Sequence, residues 1–302
     1  MLDRHQMAGP QMKRGRVSVH LAPLTRETTA PPNRARHESM SMANETKALN
    51  VLLGLAAGDR IGGPLQMALC VAESLAERRG FDSDDILARY LDWWRTEGFD
   101  TGPTAGEVFA CIERGMTPAE ASRHVDCLAR GMTAGCNPAH RNVALALTPY
   151  ISDDELAEAA MIEARITHIH PLAGDVAAAA VRLCRALLHG ASSQDALDFA
   201  AAGRLSETRD ALALRDFGKV NRGGYAPDVL RAAAFFVDSS QDLAEALERA
   251  IVFAGVSNYC PVLVGSIGGA RWWGESLAPH WHERHGGLIE RIWAVVRRLT
   301  DQ

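Results

Sequence analysis

The chain has 302 residues, 47% of them hydrophobic and 23% charged, with a formal net charge of −5. This is the composition of a soluble globular protein long enough to bury a sizeable core. It excludes an integral membrane protein, because no apolar run reaches the ~18 residues of a membrane span, and the mild acidity gives no general pull toward nucleic acid.

Residues 1–47 differ from the rest. They carry eight lysines and arginines against four acids, include Pro10, Pro23, Pro31 and Pro32, and show no sustained hydrophobic period. They read as a disordered basic tail, with a basic targeting arm as the functional alternative. A start at Met40 or Met42 would still leave a complete body. The first thirty residues have no apolar core of a secretory signal. The six cysteines, Cys70, Cys111, Cys127, Cys136, Cys184 and Cys260, form no CxxC pair. They read as buried thiols of a reducing compartment, and the expected location is cytoplasmic.

From residue 48 the pattern is helical almost everywhere. Leu87, Tyr90, Leu91 and Trp94 recur at helical spacing behind Ser83 and the acidic pair Asp84-Asp85. Thr117-Pro118-Ala119-Glu120 combines a capping oxygen, a first-turn proline and a reciprocal acid. Ser152-Asp153-Asp154-Glu155 repeats the device. Residues 173–189 predict a long Ala/Leu/Val helix that stops at Gly190, and 228–237, 241–253, 261–273 and 287–299 read likewise. No period-2 strand stands out. The Val-rich run at 262–264 continues into Ser266-Ile267-Gly268-Gly269-Ala270, whose small residues let another backbone approach closely. The expected fold is all-α, a compact multi-helix bundle forming one domain over 48–302.

Five interhelical stretches hold polar residues that amphipathic packing does not need. They are Gly58-Asp59-Arg60-Ile61-Gly62-Gly63-Pro64, Phe99-Asp100-Thr101-Gly102-Pro103-Thr104, Ala134-Gly135-Cys136-Asn137-Pro138-Ala139-His140-Arg141, Thr167-His168-Ile169-His170-Pro171 and Gly255-Val256-Ser257-Asn258-Tyr259-Cys260-Pro261. Functional side chains concentrate on loops held by a rigid scaffold. Taken singly, Asp59, Asp100 and Thr104 also suit helix caps, and His168 suits a hydrogen-bonded interior histidine. A metal site from His168 and His170 is disfavoured, because i,i+2 residues on a helix point apart. No HExxH, Walker A or GxSxG pattern is present.

Taken together and in order, these segments resemble the ADP-ribosylglycohydrolases, whose members are compact all-α domains. Gly58-Asp59-Arg60-Ile61-Gly62-Gly63-Pro64 is similar to the family's opening Gly-Asp-Ala-x-Gly-x-Pro. Gln66-Met67-Ala68-Leu69 and Ala72-Glu73-Ser74-Leu75 resemble its next helix, and Asp100-Thr101-Gly102-Pro103-Thr104 its Asp-Ile-Gly-x-Thr. Cys136-Asn137-Pro138-Ala139-His140-Arg141 loosely resembles its Gly-Asn-Gly segment, and Thr167-His168-Ile169-His170-Pro171 its Thr-His-x-x-Pro. Gly223-Gly224-Tyr225-Ala226-Pro227, Ile267-Gly268-Gly269-Ala270 and Pro279-His280-Trp281 resemble its later motifs, so the likeness runs over about residues 48–285.

The departures carry as much meaning. Active members of the family hold two magnesium ions, through an early Thr-Asp-Asp and a late Asp-x-Asp-Thr. Here the early segment is missing, and Gly62-Gly63-Pro64-Leu65 stands in its place. The late one aligns onto Val256-Ser257-Asn258-Tyr259. Magnesium needs hard oxygen ligands; valine has none and Asn258 has one neutral oxygen. The family-type magnesium pair is therefore expected to be absent, with no cofactor in its place.

The resemblance implies an oxocarbenium-like glycosidic cleavage. Without metal a carboxylate must steady that cation or activate water. Asp100, matched to the family aspartate beside the scissile bond, is the first candidate and Asp59 the second. Thr104, Asn137, His140, Arg141, His168, Asn258 and Tyr259 are the candidate substrate-binding residues, Arg141 for its fork of donors toward phosphate. Cys260, before a proline at a helix start, is weighed as a nucleophile against a buried inert thiol, and the thiol reading prevails. The expected function is a metal-independent hydrolase of a glycosidic bond in ADP-ribose adducts or a related nucleotide. The expected partner is thus a small-molecule nucleotide or an ADP-ribosylated substrate, with no nucleic acid and no membrane. The alternative is a non-catalytic pseudoenzyme that binds an ADP-ribose-like ligand or serves as a scaffold, as crystallin members of the family do.

Overall fold

Fourteen α-helices and no strand occur among the described residues, which are 34–213, 218 and 220–300 of a computed structural model. In chain order they are α1 (Arg34–Gly58), α2 (Gly63–Arg78), α3 (Ser83–Thr96), α4 (Pro103–Glu113), α5 (Pro118–Leu128), α6 (Asn137–Arg141), α7 (Leu156–Arg165), α8 (Pro171–Leu188), α9 (Ser193–Ala201), α10 (Ser206–Leu212), α11 (Ala226–Asp238), α12 (Leu243–Ala254), α13 (Cys260–Arg271) and α14 (Gly287–Thr300). A 3-10 helix, Asn142–Leu147, continues α6, and two 3-10 turns precede α14. No helix of the described residues is long and apolar enough to cross a membrane.

Local chemistry starts several of these helices. Thr117 and Glu120 form the reciprocal capping box of α5, and Ser152 and Glu155 exchange the same bonds ahead of α7. Asp82, one residue before the expected Ser83, caps α3 by accepting from Asp84 N and Asp85 N. Helix α1 begins at Arg34, ahead of the boundary expected at residue 48, so part of the expected tail is helical. Every proline of that stretch lies at or before Pro32, and the residues that follow have tertiary partners. Lys47 Nζ sits 4.9 Å from the Trp273 ring centroid and Glu45 pairs with Arg297 at 3.7 Å. Residues 1–33 of the expected tail lie outside the described residues. Five cysteines are buried as expected; Cys127 on α5 is exposed.

The core is organised around α8 and an antiparallel seam between α1 and α13. Sixteen of the eighteen residues of α8 are buried, most of them Ala, Val and Leu. Along the seam backbone touches backbone. A Cβ on Gly54 would stand 2.2 Å from Gly265 O, one on Gly58 would stand 1.9 Å from Pro261 O, and one on Gly269 would stand 2.3 Å from Asn50 O. Positions 50, 54 and 58 face 269, 265 and 261, each set spaced by one helical turn. The small residues at 265–270 therefore serve the close approach expected of them. The seam ends at Gly58 and Pro261, so it sets the spacing of the loop after α1 and the loop before α13.

A methyl group cannot enter this seam without parting the helices. Gly265→Ala is expected to lower the urea-unfolding free energy by about 3 kcal/mol or more. Gly274→Ala, where an added Cβ meets nothing within 4 Å, is expected to stay within about 0.5 kcal/mol of the parent. Equal midpoints for the two variants would show that the seam does not hold the fold.

Candidate functional site

A cavity of about 490 Å³ opens where five helices begin. Its wall includes Pro103 and Thr104 of α4, Asn137 of α6, Leu172 of α8, and the cap residues Tyr225 of α11 and Tyr259 of α13. Each of these helices carries a proline in its first two positions, namely Pro103, Pro138, Pro171, Pro227 and Pro261. Proline fits there because the first-turn N–H has no intrahelical partner and the fixed φ suits the helix. Helix α6 has only five residues, but α4, α8, α11 and α13 have at least eleven, so their dipoles give the cavity a positive potential. No lysine, arginine, aspartate or glutamate lines it among the described residues. Two backbone bonds, Cys136 N to Gly224 O and Ala226 N to Ala134 O, both 2.9 Å, clip the starts of α6 and α11 together.

Behind the wall lies a buried ionic network. Arg141 is fully buried and its guanidinium is occupied by protein groups. Nε donates to Glu163 Oε1 at 2.6 Å, one terminal nitrogen to Asn137 Oδ1 at 3.0 Å, and the other to Thr167 Oγ1 at 2.9 Å. The Tyr90 hydroxyl donates to the same Glu163 oxygen at 2.7 Å. The arginine expected at a phosphate is thus withdrawn from the cavity, because Glu163 on α7 satisfies its charge inside the core. Asn137 and His168, which this network touches, do line the cavity. Asn137 Nδ2 donates to Thr101 O at 2.8 Å. His168 Nδ1 lies 2.8 Å from Thr167 Oγ1, and burial with the nearby Arg141 charge lowers its imidazole to about 3, so it is neutral near pH 7.

A pair of carboxylates, Asp59 and Asp100, lies outside the cavity lining, with Asp100 two residues before the lining Gly102 and both bonded to Asn258, the neighbour of the lining Tyr259. Asp59 is fully buried and accepts four hydrogen bonds: Oδ1 from Ile61 N at 3.1 Å, Gly62 N at 2.8 Å and Asn258 Nδ2 at 2.8 Å, and Oδ2 from Leu65 N at 2.9 Å. These bonds build the turn into α2, so the geometry gives the second catalytic candidate a structural position with no free face. Asp100 is different. It is partly exposed, with a left-handed backbone at φ 48°, a conformation uncommon for a non-glycine residue and one that aspartate tolerates better than most. Burial and the Asp59 charge raise its carboxyl to about 6, against hydrogen bonds from Asn258 and the Gly63 backbone. Asn258 joins the pair, since its Nδ2 donates to Asp59 and, at 3.3 Å, to Asp100 Oδ2, while its Oδ1 accepts from Arg60 N at 3.0 Å. The Arg60 side chain holds the same loop through Gly255 O at 2.7 Å and Ser257 O.

The remaining candidates divide. Thr104 and Tyr259 line the cavity; burial pushes the Tyr259 phenol up, with smaller contributions from Cys136 and Asp100. His140 is buried, its Nε2 has no partner among the described residues, and desolvation lowers it to about 4 despite Asp59 and a Tyr259 backbone bond. It does not line the cavity. Cys260 is buried with its thiol pushed far up by desolvation, so a thiolate nucleophile is not available there. Tyr225, Met132, His170 and Leu172 line the cavity without having been singled out as ligand residues. The available signal was the proline that opens each converging helix. Among the described residues no group of three or more His, Cys, Asp or Glu side chains is placed to hold a metal ion.

The sequence model described as ADP-ribosylglycohydrolase matches residues 40–302. A comparison with curated proteins finds no match. Among solved structures, one titled "ADP-ribosylglycohydrolase-related protein complex" superposes with a TM-score of 0.69 at 24% identity, covering 86% of this chain and 98% of that one, a likeness of fold. With a match over the whole helical body, the chain belongs to the ADP-ribosylglycohydrolase family.

Proposed function

We propose that the protein hydrolyses a glycosidic bond to ADP-ribose or a related nucleotide without a magnesium pair. The observation that carries this reading is Asp100, a partly exposed carboxyl raised to about 6, outside the lining but on the loop that supplies Gly102 to a cavity of about 490 Å³ whose wall includes helix N-termini. The volume falls within the ~300–1,000 Å³ usual for small-molecule sites, and the positive potential suits an anionic nucleotide. Asp100 precedes the cavity-lining Gly102 by two residues. In this reading it takes the proton of the attacking water, or faces the developing oxocarbenium ion as a carboxylate. Asp59 serves as the anchor that positions Asn258 and the start of α2, and Arg141 supports the wall from behind.

The carboxylate pair does not fit the family's magnesium ions. The Asn258 Nδ2 group points its donors at both carboxylates, where an octahedral oxygen shell would need acceptors and a cation. Val256, in place of a ligand, is fully exposed. The same contact favours the second reading, a non-catalytic protein that binds an ADP-ribose-like ligand, because Asn258 engages the carboxyl that would have to react.

Three measurements separate these readings. Calorimetric titration with ADP-ribose in EDTA is expected to show micromolar binding, and no heat would mean that the cavity serves another ligand. Hydrolysis of ADP-ribosylated substrates in EDTA is expected to rise with pH through about 6 as Asp100 ionises. It should fall at least ~10²-fold in Asp100→Asn, which tolerates the left-handed backbone and should still bind ADP-ribose. Binding without turnover in the parent would establish the non-catalytic reading. Finally, the parent should melt at the same temperature in EDTA and in millimolar magnesium. Asn258→Asp should melt lower in EDTA, where a third carboxylate adds repulsion, and recover with magnesium. A magnesium-dependent rise in the parent would contradict the metal-free assignment.

A further inference from the structure

The network behind the cavity wall fixes the position of a proton. A guanidinium has donors only, so the 2.9 Å bond from Arg141 consumes a lone pair of Thr167 Oγ1. The Thr167 hydroxyl proton then has one acceptor within reach, His168 Nδ1 at 2.8 Å. A neutral imidazole that accepts at Nδ1 carries its proton on Nε2. His168 is 3% exposed, lines the cavity, and its Nε2 makes no hydrogen bond among the described residues. That nitrogen lies against Gly135, where an added Cβ would be 3.1 Å from it. The same guanidinium orients Asn137. Its Oδ1 is taken by Arg141 at 3.0 Å, so its Nδ2 faces Thr101 O at 2.8 Å and lies 3.2 Å from a Cβ built on Gly102. Glu163 holds Arg141 in place through a 2.6 Å bond, and all four groups from Glu163 to His168 are buried.

We propose that Arg141, acting through Thr167, is a positioning residue that fixes His168 as a neutral imidazole with its proton on Nε2, so that it donates into the cavity. Arg141 touches no ligand; it sets the polarity of two wall residues that can. Together with the first turns of α4 and α13, which no side chain caps, this adds a donor to the wall and favours an oxygen bearing lone pairs and no proton. The inference does not depend on the hydrolase reading, because the proton's position is a property of the free protein.

The test is a long-range ¹H–¹⁵N correlation of the imidazoles in the uniformly labelled full chain at neutral pH, with His168 assigned by its disappearance in His168→Gln. The parent is expected to show His168 Nδ1 at the unprotonated position and Nε2 at the protonated one. A His168 with its proton on Nδ1, or with both nitrogens protonated, would overturn the proposal outright, whatever the variants do. Thr167→Ser keeps the hydroxyl and should keep the tautomer. Thr167→Val keeps the shape but has no proton to give, so the Nδ1–H form should become populated; a folded Thr167→Val with an unchanged tautomer would overturn the relay. Inorganic phosphate titrated into the parent should shift the His168 Nε2–H resonance. It should do so about tenfold more weakly in Thr167→Val, the equivalent of one lost hydrogen bond. An unmoved Nε2–H in the parent would refute the selection of an oxygen acceptor.

Discussion

The backbone-to-backbone seam of α1 and α13 is the constraint on which the site depends. Hydrophobic side chains set distances between helices only to within the compliance of their rotamers, whereas two main chains in contact have no such slack. Gly54 against Gly265 and Gly58 against Pro261 lock the C-terminal end of one helix beside the N-terminal end of the other, which also pairs opposite ends of their dipoles. Asp59 follows the first directly, and Asn258 precedes the second by two residues. Their 2.8 Å bond therefore joins two positions 199 residues apart at the mouth of a rigid joint. Arg60 ties the two loops again through Gly255 and Ser257, and His285 Nε2, 2.6 Å from Asp59 O, pins the same turn from the C-terminal side.

Charge inside this protein is handled in two ways, and the difference separates scaffold from site. Asp59, Glu163 and Arg141 are fully buried and each is paired, Asp59 through both oxygens, Arg141 through all three nitrogens and Glu163 through two bonds to Oε1, its Oε2 having no partner among the described residues; pairing is the condition under which a buried ion is tolerable. The cavity instead takes potential from helix starts, and no lysine, arginine, aspartate or glutamate lines it among the described residues. Dipole ends are fixed by the fold and do not titrate, so that contribution persists over a wide pH range. Asp100 stands at the border of the two regimes. It has too few donors to be a settled ion and enough neighbours to feel both burial and Asp59, and its affinity for a proton rises as a result.

What the sequence revealed follows from how local each feature is. The capping boxes at Thr117 and Ser152 were legible because their partners sit three residues away, and the small residues at 265–270 announced a close approach without naming α1 as its partner. The loops that build the cavity were legible as a set through the ordered family resemblance. Roles within them were not. Arg141 looked like a phosphate ligand because Glu163, which satisfies it, lies on another helix 22 residues away. Asp59 and Asp100 both sit in glycine-containing turns and could not be ranked by pattern. Only the folded loop shows that Asp59 is saturated by N–H groups while Asp100 keeps an open face at φ 48°. The five prolines were each visible, but the convergence of the helices they open is tertiary.

On the reading proposed, Asn258 explains how the family's site can lose its cation without losing its shape. Two neighbouring carboxylates in a partly dry pocket repel each other, and a divalent ion is one way to hold them. An amide nitrogen with two donors is another, and here it reaches both, at 2.8 and 3.3 Å. The exchange is not neutral in chemistry. A cation between the carboxylates keeps both ionised at low pH and supplies a Lewis acid. An amide supplies neither, so the remaining repulsion must be met by a proton, and the less satisfied member of the pair is the one to take it. The raised carboxyl of Asp100 follows first from burial and then from the Asp59 charge, and the Asn258 hydrogen bond offsets part of that rise. On this reading one amide holds the two carboxylates together, while burial and the Asp59 charge, which that amide only partly offsets, leave Asp100 titrating near neutrality.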